Sequence, residues 1–126
     1  MAPYHAHIYF EPSSRAVAER LHRQFSSAKA AGASAVLYVG GMRDEGVGPH
    51  PKPQFEIHFL EDQLAAIVAL IGASGLTALI HPLTDDDLAD HTSLATWIGE
   101  PLPLDLTVLD PPGVNQGVPR FGKSDF

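Results

Sequence analysis

The stretch YHAHIYF, residues 4–10, alternates between two kinds of side chain. Successive strand residues point to opposite faces, so Tyr4, Ala6, Ile8 and Phe10 share one face and His5, His7 and Tyr9 the other. FEIHFL, residues 55–60, repeats the device with Phe55, Ile57 and Phe59 opposite Glu56, His58 and Leu60. ASAVLYVGG (33–41) and LTALIHP (76–82) are rich in β-branched and apolar residues and predict two more strands, stopped by a glycine pair and by Pro82. In the latter, His81 follows Thr77 and Leu79 on the face opposite Ala78 and Ile80.

Between these strands the period lengthens. Val17, Leu21 and Phe25 recur every four residues behind Ser13 and Ser14 and before Gly32, which predicts an amphipathic helix. Leu64, Ile67, Val68 and Ile71 follow an acidic turn and run into Gly72 and Gly75, which predicts a second. A third helix is predicted over 84–99, capped by Thr84 with Asp85, Asp86 and Asp87 in its first turn and ended by Gly99. LPLDLTVLD (102–110) reads as a fifth, peripheral strand. Residues 42–54, punctuated by Gly46, Gly48, Pro49, Pro51 and Pro53, form a long loop of the kind that carries function.

The order β-α-β-β-α-β is the ferredoxin-like pattern of an α+β protein, an antiparallel sheet with helices on one face. Its first and third strands are central neighbours, and the fourth lies on the other side of the first. The helices should cover Ala6, Ile8, Phe10, Phe55, Ile57 and Phe59, leaving the histidine face open. An open sheet face is commonly closed by a second copy, so a homodimer, barrel-like in its α+β layers, is expected. One domain over 1–110 and a Pro/Gly-rich tail over 111–126, extended or disordered, complete the layout.

Composition narrows the chemistry. An apolar fraction of 44% and a charged fraction of 18% are globular values, and no run is long enough to span a bilayer. No basic and apolar leader precedes the first strand, so no signal peptide is expected. The absence of cysteine excludes disulfides, thiolate ligands and thiol nucleophiles and fits a cytoplasmic location. A net charge of −7 works against nucleic acid and anionic lipid, leaving a small molecule or another protein chain as partner. Seven histidines are the unusual feature.

Antiparallel pairing brings most of them together. The end of the third strand, with His58, and the end of the fourth, with His81, both fall beside His5 and His7. Imidazole is the commonest metal ligand among side chains, and a strand H-x-H pair offers two nitrogens to one centre. His5, His7 and His81 are therefore candidate metal ligands, and Glu56 on the same face is a candidate carboxylate. Two histidines and a carboxylate with open positions form the facial arrangement of non-haem Fe(II) oxygenases. His58 and Tyr9 face the same space as candidate substrate contacts. Tyr4, Tyr9 and Tyr38 also read as packing or pocket walls. His22, on the first helix, reads as a solvated surface residue. His91, in line with Leu88 and Ala95, reads equally as a bonded core histidine or as a catalytic one. His50, held among prolines, is either a ligand- or substrate-facing group or a solvated loop residue.

Three stretches carry a family resemblance: YHAHIYF (4–10), GPHPKPQFEI (48–57) and HPLTDDDLADHTSLATWIG (81–99). Together the chain, to about residue 109, resembles the DOPA 4,5-dioxygenase family of extradiol-type ring-cleaving enzymes. It carries Asp85 where the family commonly has glycine before the acidic pair. The resemblance implies a small, often dimeric ferredoxin-like fold that cleaves a catechol such as DOPA with O2, using non-haem Fe(II), with zinc possible in a purified sample. The family's histidines fall on His5, His7, His50, His81 and His91. In that scheme His50 or His91 moves the phenolic proton, and Glu56 is a ligand or supports one. Two rivals stand beside it: a non-catalytic dimeric small-molecule-binding module, and a zinc-dependent hydrolase or isomerase.

Overall fold

The computed structural model describes residues 2–32 and 36–110. Helix α1 (Arg15–Ala30) turns Ala18, Leu21 and Phe25 inward, and α2 (Leu64–Ser74) does the same with Ile67 and Ile71. A single 3₁₀ turn precedes each helix, at Pro12–Ser14 and Glu61–Gln63. Ser14 is the boundary residue of α1, but its hydroxyl accepts from the Glu11 backbone N–H instead of capping the helix. Gly75 ends α2 at φ 78°, a left-handed conformation that a side chain would strain.

Strands β1 (Pro3–Tyr9), β2 (Val36–Val39), β3 (Gln54–Leu60), β4 (Ala78–Pro82) and β5 (Thr96–Ile98) form one antiparallel sheet in the order β2-β3-β1-β4-β5. The central β3-β1 pair and the place of β4 are those the sequence predicts. Residues 33–35, the start of the predicted second strand, and the predicted tail at 111–126 lie outside the described residues. On the face covered by α1 and α2, Ala6, Ile8 and Phe10 pack with Phe55, Ile57, Phe59, Ala78 and Ile80 into one apolar core. Burying each large side chain of this set contributes about 1.5–3 kcal/mol.

Three expectations are corrected. The predicted third helix shrinks to one turn, α3 (Asp87–Asp90), capped by Asp86, whose carboxylate accepts from the Ala89 N–H at 3.0 Å. Thr84 instead accepts from the Asp86 N–H and donates to Asp90. Beyond His91, Thr92 and Ser93 favour turns over helix, and Thr96, Trp97 and Ile98 pair with the exposed edge of β4. The fifth strand is thus at 96–98, and the 102–110 stretch is irregular, with a 3₁₀ turn at Leu106–Val108. Pro103 deprives that stretch of a ladder donor, and Pro101 stands just before it.

The histidine face, predicted to be open, is covered. Segment 40–53 folds over it through a pairing of Arg43 with Gln54 and a tight turn in which Val47 and His50 exchange backbone bonds. Gly46 lies so close to the chain there that a Cβ would stand 2.8 Å from the His50 carbonyl oxygen. Segment 83–110 closes the other side, tied down by Leu83 N–H to the Pro3 carbonyl and Asp105 N–H to the Pro49 carbonyl.

Candidate metal centre

The strand registers place the imidazoles. His5 is directly opposite His58 on β3 and His81 on β4, and His7 is opposite Glu56. The covering segments add His50 and His91. All six histidines and Glu56 are buried. Their rings form a continuous array: His5 stacks on His58 at 3.6 Å, His7 lies 4.1 Å from His50, and His81 lies 4.3 Å from His91. Three overlapping sets bring their ligand atoms within 4.8 Å of one another: His5-His7-His81, His7-His50-His91 and His5-Glu56-His58. These buried sets can bind a metal ion.

Hydrogen bonds at the far ring nitrogens fix how the central pair faces inward. The His81 Nδ1–H donates to the Pro82 carbonyl at 2.7 Å, and the His7 Nδ1–H donates to Gln54 Oε1 at 3.2 Å. With each ring's proton on Nδ1, both Nε2 atoms present lone pairs, and these converge 3.1 Å apart. Two nitrogen ligands at about 2.1 Å from one ion and a right angle apart are separated by about 3.0 Å, so the spacing suits a shared cation. A proton is a poor substitute. Burial first, then the neighbouring imidazoles, holds both groups well below the usual imidazole range; for His7 the nearest such neighbours are His50 and His81, for His81 they are His91 and His5.

The third set fits one ion less well. The His5 and His58 planes differ by only 4° and are stacked, so an ion in the plane of one ring is displaced from the plane of the other. His58 Nε2–H instead donates to Glu56 Oε2 at 3.3 Å, and the same oxygen is 3.9 Å from His5 Nδ1. Tyr38 packs 4.5 Å from the His58 ring as a wall.

The outer histidines are also held. His91 Nδ1–H donates to the Asp87 carbonyl at 2.8 Å, with the Asp87 carboxylate 3.4 Å away. The Tyr9 hydroxyl meets His50 Nδ1 at 2.6 Å, and burial pushes the Tyr9 phenol upward, so it stays protonated as a donor. Trp97 lies nearly parallel to the Tyr9 ring at 6.0 Å. Tyr4, by contrast, stacks on Phe59 on the apolar side.

Two sequence readings change here, and two further residues join the site. Asp87 is more than a helix-capping residue: it is buried and steadies both His91 and the backbone of Asp110. His22 is half-buried, not solvated, and donates from Nε2 to the Gly40 carbonyl at 2.8 Å. Gln54 continues the 54-56-58 alternation onto the histidine face, the one signal in the sequence that marks it. Trp97 was hidden inside a predicted helix.

Fold and site together define an α+β protein with a buried, imidazole-lined candidate metal centre beneath its sheet. The Dopa 4,5-dioxygenase family model matches residues 4–108, and the chain belongs to that family. It is 34% identical over 106 residues to an uncharacterized 21.2 kDa protein of Botryotinia fuckeliana, covering 76% of this chain and 53% of that protein. It is 30% identical over 111 residues to a DOPA 4,5-dioxygenase of Amanita muscaria, covering 84% and 49%. The chain thus spans about half the length of the curated relatives it matches. A crystal structure from Nostoc punctiforme, described as a "putative dioxygenase", superposes with a TM-score of 0.75 at 33% identity, covering 86% of this chain and 90% of that one.

Proposed function

We propose that the chain is a non-haem iron dioxygenase that opens the ring of a catechol, DOPA being the substrate the family name suggests, with both oxygen atoms of O2 retained in the product. The observation that carries this reading is the convergence of the His7 and His81 Nε2 lone pairs at 3.1 Å, each ring's proton being committed elsewhere. His5 is the third ligand of the set. Fe(II) held there would bind the catechol oxygens and O2 together and let electron density pass from ring to oxygen; zinc can occupy the same ligands in purified protein.

The remaining residues prepare the space. Gln54 and the Pro82 carbonyl hold the ligand tautomers, as partners beyond a metal's own ligands commonly do. Glu56, backed by His58, places a carboxylate beside His5. His91, turned by its bond to Asp87, has its ring 4.3 Å from that of His81 and a ligand atom within 4.8 Å of those of His7 and His50, and can accept the phenolic proton and return it. His50, bonded to Tyr9, is the second such group, and Tyr9 is the substrate-side wall. The ferredoxin-like strand order supports a one-domain layout over 1–110, and we retain a homodimer as its assembly.

The test is an oxygen-electrode assay of anaerobically Fe(II)-loaded protein with a panel of catechols. Oxygen uptake with a yellow ring-opened product is expected. Iron-retaining protein that consumes no oxygen with any catechol would contradict the reading.

A further inference from the structure

The strand that carries His7 leads past the centre to a second, open cavity. His7, Tyr9 and Glu11 are alternate residues, Glu11 is still extended at φ −123° and ψ 168°, and Phe10 between them is turned into the core. All three side chains therefore share the histidine side of the sheet. We propose that Glu11 and Lys52, which meet in this cavity, bind the charged tail of the catechol, Lys52 taking the carboxylate and Glu11 the ammonium group of an α-amino acid. The inference rests on the ring-cleaving reading above and adds the two residues that read the far end of the substrate.

Position comes first. The cavity holds about 200 Å³, and Tyr9, Glu11, Ser14, Lys52, Thr77 and Leu102 are among its lining. It adjoins the centre in two ways. The Tyr9 ring lines it while the Tyr9 hydroxyl meets His50, and Leu102 belongs both to this lining and to that of the pocket over His91. Lys52 is two residues from His50, and Pro51 and Pro53 on either side of it restrict its backbone. At about 3.3 Å per extended residue, Glu11 lies about 13 Å along the chain from His7. That span matches a catechol with a three-carbon tail lying beside Tyr9, its hydroxyls at the centre.

The charges then set the chemistry. Among the described residues of the lining, Glu11 and Lys52 are the ionic ones, and Ser14 and Thr77 add hydroxyls. Lys52 Nζ donates to Glu11 Oε1 at 2.7 Å, a bond that also holds the Glu11 carboxyl below its ordinary range and so ionised. Arg15, over the Phe10 ring, is held elsewhere, by Asp44 at 2.8 Å and by Glu19. The Lys52 and Glu11 side chains are 40% and 57% exposed, and pairs in such positions are loosely held and exchange partners readily. A zwitterion laid across them alternates charge with the pair, so one ion pair is replaced by two. A neutral tail gains nothing from either residue.

Anaerobic calorimetric titration of Fe(II)-loaded protein reads the tail apart from turnover. The ligands are L-DOPA, dopamine, 3-(3,4-dihydroxyphenyl)propionate and 4-methylcatechol, and each Kd is divided by that of 4-methylcatechol, whose tail carries no charge. In Lys52→Met the ratio should rise about tenfold for L-DOPA and the propionate but not for dopamine. In Glu11→Gln it should rise about tenfold for L-DOPA and dopamine but not for the propionate. Ratios that stay at their wild-type values, or that rise alike for all three charged ligands, would overturn the proposal. Oxygen uptake separates this idea from the reading beneath it. L-DOPA cleaved by Lys52→Met with an unaltered kcat/KM would refute the tail site and leave ring cleavage intact. Charge-selective loss of affinity in protein that consumes no oxygen with any of the four would support the tail site and refute ring cleavage.

Discussion

On one face of the sheet Ile8, Phe55, Ile57 and Phe59 lie fully buried against two helices; on the other, at the same depth, stand His5, His7, His58 and His81 beneath two irregular segments. The first set is stabilised by removal of apolar surface from water. Burial of the second set costs free energy unless every polar atom is bonded, and two of its lone pairs face each other. Fold stability should therefore reside mainly on the helix side, and function on the other.

Paired substitutions test that division. His81→Ala should lower metal affinity and catechol-dependent oxygen uptake by more than about 100-fold, while the far-ultraviolet circular dichroism of metal-free protein stays native. Phe59→Ala, on the opposite face, should remove about 3–5 kcal/mol of unfolding free energy in urea titrations. If His81→Ala unfolded metal-free protein as readily as Phe59→Ala, the imidazole face would be a structural core and the division would fail.

Gln54→Leu sharpens the comparison. It removes the acceptor for His7 Nδ1–H without touching a ligand, so metal affinity should fall about 10–100-fold with the strand pairing unchanged. Unaltered affinity would remove Gln54 from the centre.

Acid should act on the histidine face. Folded His7 and His81 resist protonation because of burial, whereas the unfolded chain protonates them near pH 6.5. The unfolded state therefore binds more protons as pH falls through that value, and stability declines below it. Each histidine should contribute up to about 1.4 kcal/mol per pH unit in metal-free protein. Urea midpoints at about pH 7.5 and 5.5 measure this, and His7→Leu should reduce the slope.

Much of this was readable from residue patterns, and the rest was not, for identifiable reasons. The alternations in YHAHIYF and FEIHFL assign His5, His7, Glu56 and His58 to one face, and antiparallel order brings in His81, because strand period and pairing leave little choice. The helices at 15–30 and 64–74 follow from equally plain periodicity. The cover over the histidines carries no such pattern, since segments 40–53 and 83–110 are held by isolated bridges, turns and the three-residue strand β5, none of which has a period long enough to read. The same cause hid the neighbourhood of His91, where acidic capping residues predict a long helix but one turn forms before Thr96-Trp97-Ile98 joins the sheet. Tautomers cannot be read from residue order at all. They depend on Gln54 and the Pro82 carbonyl, both visible only once the strands are assembled.

The most direct test is the metal content of untagged protein loaded anaerobically with Fe(II) and desalted, read by elemental analysis. About one ion per chain is expected, lost in His7→Ala and His81→Ala. Less than about 0.1 ion per chain in correctly folded wild-type protein would contradict the claim that the facing His7 and His81 nitrogens are built around a cation.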